Sequence, residues 1–474
     1  MKIRKRVLAG VLAGVLAAGT LMGCGNDAVT SNPGSSGTGT TKTGTKLLAA
    51  KDLVVNAAYP SDDSFFDNAT GTFNEEGYDK AWREWTESAS KRQELAAKSK
   101  AEYADFLLDI SRKMIADPEV ENPSFSPLNI YLSLGMLAEI SEGETRAQIL
   151  KAANADSLDD FYQTANALAQ AVRRGDDAQT VDLGSSMWLS NKIPFKDETV
   201  QRAAERYFAS ITRGDFGSAE MDQALRDWLN EKTGGLLKEQ VEGLKFDDPQ
   251  LAMVLASTIY LKARWQDEFS KESTRDDTFH GKDGDKEVPF MHRREQGTVY
   301  VGEKFTAMRL PFVSGGAMYF LLPNKGVMPK ELMEDAEARK FLAEGGDKWT
   351  GNKYDKYGTM MVDIALPKFD VTAEYDLKSI LKQMGISDAF DVNKANFSSL
   401  AEDGIPFVLD KALHDARVKI DEEGVEAAAF TAYMLASGAM LSDELTDFKV
   451  DRPFLYMIES DTGIPLFVGA VNNI

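Results

Sequence analysis

Cysteine is all but missing from this chain: there is one in 474 residues, at position 24. A disulfide scaffold is therefore excluded, and so is a Cys-His catalytic pair in the body of the protein. Histidine is nearly as scarce, with only His280, His292 and His414. The HExxH spacing of zinc hydrolases does not occur, nor do GxSxG, a phosphate-binding GxxxxGK[ST] loop, or GxGxxG between a strand and a helix. The acidic pairs Asp176-Asp177 and Asp276-Asp277 read as solvated loops, and no grouping of side chains calls for a metal or a cofactor. Positive charge is in deficit, 54 Lys and Arg against 75 Asp and Glu, for a net charge of −21. Such a surface repels nucleic acid. Beyond the first two dozen residues no stretch of 18 apolar residues exists, so no later segment is long enough to span a bilayer as a helix.

What is present begins at the amino terminus. MKIRKR supplies a positive start, residues 7–21 an apolar run, and Leu21-Met22-Gly23-Cys24 matches the lipobox of bacterial lipoproteins. The expectation is cleavage before Cys24, acylation of its thiol, and an exported protein lipid-anchored at the bacterial cell surface. Removing residues 1–23, whose charged residues are Lys2, Arg4, Lys5 and Arg6, takes the net charge from −21 to −25. Residues 31–46, SNPGSSGTGTTKTGTK, form a Gly/Ser/Thr tether whose r.m.s. span is roughly 20 Å. The aromatics of residues 47–93 mark an extension partly packed on the body. Three regions result: a signal peptide (1–23), an acylated tether with its extension (24–90), and one large domain (91–474) whose 43% apolar content suffices for a packed core. A monomer is expected.

Three-to-four spacing of Tyr103, Phe106, Leu107, Ile110 and Met114 predicts a helix over about 94–116. Ser126 caps a second helix opened by Pro127, which runs to Ile140 and is apolar nearly all round. Helical patterns recur over 158–173 and 219–233. Strand patterns then dominate, over 252–261, 298–301, 317–322, 360–366, 406–408, 454–458 and 466–471. Helices early and strands late give an α+β fold with large, mostly antiparallel sheets. His414 falls in a predicted strand, where a buried structural histidine is the expectation.

Residues 421–445, DEEGVEAAAFTAYMLASGAMLSDEL, fit neither pattern well. The alanine run suits a helix, whereas Gly424, β-branched Val425 and Thr431, and the ASG at 436–438 oppose one. Read with period two, Val425, Ala427, Ala429 and Thr431 share one face, and Glu426, Ala428, Phe430 and Ala432 the other. On composition, a surface helix with a flexible loop and a strand outside any sheet stand level.

Several motifs, in order, resemble the serpin family over residues 91–474. They are SFSPLNIYLSLGMLAEISEGETRAQI from Ser124, LASTIYLKARWQDEF from Leu255, VPFM from Val288, MYFLLP from Met318, LPKFDVTAEYDL from Leu366, MGISDAF from Met384, ANFSSL from Ala395, RPFLYMI from Arg452 and PLFVGAVNN from Pro465. The resemblance implies a serpin fold with a helix-rich amino-terminal half, three β-sheets and an exposed reactive-centre loop. It also implies a non-enzyme that inhibits serine proteases as a suicide substrate: the cleaved loop inserts into the main sheet and traps the acyl-enzyme. Glu422, Glu423, Gly424, Val425, Glu426, Ala427, Ala428 and Ala429, followed by Thr431, match the hinge of inhibitory members. Ser126 and His414 match residues that hold the sheet until it opens. Two departures stand out: Val425 replaces the usual Thr or Ser, and Phe430 the usual Ala or Gly. Counting forward from Glu422 puts the cut bond at Gly438-Ala439. Counting back from Pro453 puts it near Ser442, with Met440 and Leu441 between. No Lys or Arg lies within 422–448, so targets of elastase, subtilisin or chymotrypsin type are expected, with papain-like cysteine proteases as a further class. The alternative is a non-inhibitory serpin serving as a surface binding or structural protein.

Overall fold

All fourteen residues of helix α2 (Pro127–Ile140) are buried, with the neighbouring helices and sheets of the body layered around it. Ser126 caps the helix, its hydroxyl accepting from the Asn129 N–H, and Pro127 supplies a preset first turn. The computed structural model describes residues 44–52, 56–67, 70–176, 178–246, 248–344, 360–401, 405–425 and 445–474.

Around α2 pack α1 (Glu75–Ile115), α3 (Gly143–Ala152), α4 (Leu158–Val172) and α5 (Asp197–Tyr207). Helix α1 is 41 residues long and begins at Glu75, some twenty residues before the predicted start. Its opening turns are capped by Asn74 and carry Glu75 and Glu76, a signal masked by the polar, Trp-rich composition. Those turns are buttressed by aromatics outside the main core: Tyr59, Trp82 and Trp85 meet edge-to-face at 5.4–5.5 Å between centroids.

The largest sheet runs β1-β7-β6-β8-β17-β16-β15, with β5 added on β6. Its strands are β1 (Lys46–Ala50), β5 (Arg174–Gly175), β6 (Gln179–Ser190), β7 (Ala209–Gly214), β8 (Met253–Arg264), β15 (Phe369–Asp376), β16 (Lys411–Ile420) and β17 (Gly424–Val425). A second sheet orders β18 (Leu445–Lys449), β14 (Met360–Pro367), β10 (Gly284–Gly297) and β9 (Arg275–Gly281). A third orders β11 (Val299–Val301), β12 (Phe305–Pro311), β13 (Ala317–Pro323), β19 (Phe454–Glu459), β20 (Pro465–Val471) and β4 (Ser124–Phe125). A small hairpin pairs β2 (Phe66–Asp67) with β3 (Thr72–Phe73). The main core lies between the large sheet, the third sheet and α1–α5. A second apolar cluster lies on the other face of the large sheet, beneath helix α6 (Ala219–Lys232).

Three sequence expectations change. Residues 406–408 form no strand. Asp276 and Asp277 sit on strand β9 and not in a loop, and Asp277 is bonded to Lys449 at 2.8 Å. Asp176 has a side chain only 4% exposed, paired with the fully buried Arg174 at 2.6 Å, and Arg174 also reaches Asp461 at 3.2 Å. Charge that looks solvated in sequence is here neutralised, for Asp277 by a partner remote in the chain and for Asp176 by Arg174 two residues away, itself tied to the distant Asp461.

Candidate functional site

The large sheet carries a seam. Strands β8 and β16 pair in parallel only over residues 254–258 against 411–415. Farther along, residues 259–262 and 416–419 do not pair with each other. At the head of the seam β17 sits between the two strands, Gly424 opposite Arg264, and Val425 opposite Ala263 on one side and Ile420 on the other. Both neighbours are antiparallel to β17. Two residues of a strand thus already occupy a slot whose other end is closed.

The closure is built at the start of α2. His414 is fully buried on β16, and its Nε2 accepts from the Ser126 backbone N–H at 2.9 Å. A ring nitrogen that accepts has no proton, so in the neutral imidazole the proton is on Nδ1, which donates to Ser257 Oγ of β8 at 2.9 Å. Burial drives the His414 pKa down to about 3, which keeps this tautomer uncharged. The Asn129 amide, one turn along α2, donates to the Gly184 carbonyl of β6 at 3.0 Å and to the Thr258 carbonyl of β8. One helix terminus therefore ties three strands. On the opposite face of β16, Asp415 stands across from Glu374 of β15. Burial, reinforced by Glu374, pushes the Asp415 carboxyl up to about 7.

The head of the seam is fastened by charge and backbone bonds. Glu422 is buried, with Lys368 Nζ at 2.7 Å and Thr274 Oγ1 donating to it at 2.8 Å. Burial alone would raise its pKa, and these two bonds outweigh it, holding the carboxyl below its ordinary value. The Glu422 and Glu423 carbonyls accept from the Phe269 N–H at 2.8 Å and the Trp265 N–H at 3.0 Å. Trp265 Nε1 donates to the Asp421 carbonyl at 3.0 Å while its ring stacks on Phe312 at 5.3 Å. The Asp421 carboxylate accepts from the N–H groups of Glu423 and Gly424, at 2.9 and 3.3 Å, in a tight turn. Glycine at 424 is enforced by proximity: a Cβ there would lie 2.1 Å from the Ala263 carbonyl oxygen. Val425 is 2% exposed and belongs to the main core.

Ser126 and His414 are thus brought together, and Glu422, Glu423, Gly424 and Val425 form the head of the seam. The residues Glu426, Ala427, Ala428, Ala429 and Thr431, the bond candidates at 438–442, and Cys24 lie outside the described residues. Sequence reasoning missed Asn129, Ser257, Thr274 and Lys368. Asn129 had a local signal, three residues after the cap; the others come from distant parts of the chain, Ser257 from β8 and Thr274 and Lys368 from connections, and had none. Among the described residues no group of three or more His, Cys, Asp or Glu side chains is placed to hold a metal ion.

The serpin family model, described as a serine protease inhibitor, matches residues 101–474. The chain belongs to the serpins. An alpha-1-antitrypsin-like protein of Tamias sibiricus is 28% identical over 401 residues, covering 82% of this chain and 92% of that protein. Serpin-ZX of Arabidopsis thaliana is 27% identical, covering 74% and 91%. Among solved serpin structures, native thermophilic tengpin superposes with a TM-score of 0.69 at 25% identity, covering 80% of this chain and 94% of tengpin. Human thyroxine-binding globulin with its thyroxine gives 0.68 at 25% identity, covering 80% and 99%.

Proposed function

We propose that this serpin inhibits serine proteases by suicide-substrate trapping, with the loop that begins after Val425 entering the β8/β16 seam once it is cleaved. The observation that carries the reading is β17: the slot is open at its head, and the chain leading to the loop is already threaded into it in strand register. Small residues at 427–429 suit continuation, because a strand sliding between two others must pack without steric conflict on its inward side. The loop acts as bait, the scissile bond lying within Gly438–Ser442. Its lack of Lys and Arg favours elastase-, subtilisin- or chymotrypsin-like targets, and papain-like enzymes form a second class. Anchoring through acylated Cys24 places the inhibitor at the outer surface of a bacterial membrane, where no nucleic acid partner is involved, and the trapping cycle requires only a monomer.

The likeness to thyroxine-binding globulin sustains a second reading, a serpin that carries a ligand or a binding surface. Incubation with elastase, subtilisin, chymotrypsin and trypsin, followed by a denaturing gel, separates the two. An inhibitor gives, with one or more of the first three enzymes, a covalent band of the summed mass less the carboxyl-terminal peptide released by the cut, and none with trypsin. Clean cleavage with no such band and no rise in melting temperature would sink the inhibitor reading.

A further inference from the structure

The seam is roofed by α6, and α6 is held at both ends by the segment that precedes the body. In the middle of the helix, Leu225 and Trp228 pack with Trp188 of β6 and with Val254 and Ala256 of β8, and Leu413 of β16 packs against the same cluster. The helix lies over β6 and β8, and the cluster beneath it reaches Leu413 across the closed part of the seam, so a strand entering between β8 and β16 must push its outward side chains into that cluster. Near the first turn, Thr45 Oγ1 donates to Met221 Sδ at 4.0 Å. At the last turn, Lys232 Nζ pairs with Asp52 at 2.9 Å. Between these pins, residues 46–50 are zipped to the sheet edge as β1, Lys46 opposite Arg213 and Ala50 opposite Ser210, and the Lys51 N–H donates to the Ala209 carbonyl at 3.3 Å. The end of α6 is also pressed on β6: a Cβ at Gly184 would meet Lys232 Cβ at 3.1 Å, and the Gly184 carbonyl is the one that takes the Asn129 amide.

We propose that residues 45–52 are a strap that holds α6 down across the seam and slows entry of the loop strand. The function assigned to the strap rests on the insertion reading, while its physical content, restraint of α6 and of the seam, does not. The ladder to β7 gives the strap a fixed base, and the two pins on α6 are individually weak, one a sulfur contact and the other an ion pair whose Asp52 is 80% exposed. A restraint so built yields under load, which suits a brake and not a lock. It also joins the expected membrane tether directly to the sheet edge, since the strap starts where the Gly/Ser/Thr run ends.

Two variants of the full chain, both on a Cys24→Ser background that removes the native thiol, test this. Thr45→Val with Asp52→Ala releases both pins. Ala50→Cys with Ser210→Cys joins two small residues that are register partners, and its disulfide fixes the strap to β7 until it is reduced. Hydrogen exchange is followed on the uncleaved proteins at α6 and at residues 254–258 of β8. Release is expected to speed exchange at both places about threefold or more, and the disulfide to slow it by a similar factor, reversed by reductant. After cleavage with subtilisin, the rise in melting temperature should develop faster in the released variant and slower in the oxidised one. Exchange at α6 and the seam that is the same in all three proteins would overturn the strap. If exchange moves as stated but the parent chain forms no covalent protease complex, the strap stands and the inhibitor reading falls.

Discussion

His414 and Asp415 are adjacent on one strand, face opposite sides of the sheet, and respond to acid in opposite senses. The folded-state pKa of His414 lies below its unfolded value, at about 3, so the unfolded chain binds the extra proton between about pH 6.5 and 3. Stability is lost as pH falls through that window. Asp415 has a folded pKa raised to about 7, so the folded chain binds the extra proton between about pH 7 and 4, and stability is gained as pH falls. Each changes unfolding free energy by at most about 1.4 kcal/mol per pH unit. Between pH 6.5 and 4 the two therefore offset each other in the parent protein. Asp415→Asn removes the gain: it should raise stability by about 1–2 kcal/mol at pH 8, allowing for partial solvent screening, and make melting temperature fall more steeply from pH 6.5 to 4. A parallel pH profile for parent and variant would contradict this pairing. At the head of the seam, Lys368→Ala would leave the Glu422 carboxylate buried with Thr274 as its remaining side-chain partner and should cost about 1–3 kcal/mol, read by urea denaturation at pH 7.

At the scale of the element, β17 is two residues long yet sets the register of the chain beyond it. Its partners run Gly424–Arg264 and Val425–Ala263 on β8, and Val425–Ile420 on β16. In an inserted strand that keeps this register, Thr431 arrives between Ser257 and His414, on the inward face. Its hydroxyl then takes over the His414 Nδ1 proton as the Ser257 bond breaks. Thr431→Val should leave the uncleaved protein unchanged and lower the melting temperature of the cleaved form by a few degrees, by loss of one buried hydrogen bond of about 1 kcal/mol. Val425→Arg should turn inhibitor into substrate, because a guanidinium cannot enter the position Val425 fills in the core; undiminished covalent complex on a denaturing gel would refute insertion. Elements such as α2, β13 and β20 were legible because dense apolar runs and a Ser-Pro cap announce them. Strand β6 was not, since Gly184, Ser185 and Ser186 break the apolar pattern at the place where Thr258 of β8 and Lys232 of α6 crowd Gly184 and the Asn129 amide of α2 reaches its carbonyl. The partners that fasten the seam were equally hidden: Ser257 and Lys368 are ordinary residues until the fold carries them to His414 and Glu422. Of the alternating residues 425–431 only Val425 is among the described residues, and it is buried.

For the whole molecule, the open head and closed foot of the seam mean that the native sheet is not at its full complement of backbone pairing. A strand of ten further residues, bonded on both sides at about 0.5–1.5 kcal/mol per bond, would add on the order of 10 kcal/mol. Cleavage within 438–442 should therefore raise the melting temperature by more than about 15 °C, measured by calorimetry before and after treatment with subtilisin. The register of β17 also sets a length of travel. Strand β8 begins at Met253, so its ladder can guide the incoming chain only as far as Leu435, and at about 3.3 Å per residue the stroke from Val425 is roughly 33 Å. A passenger joined to residue 438 would be hauled past the end of the sheet at Met253, and the distance is metered by the length of a strand that never touches it.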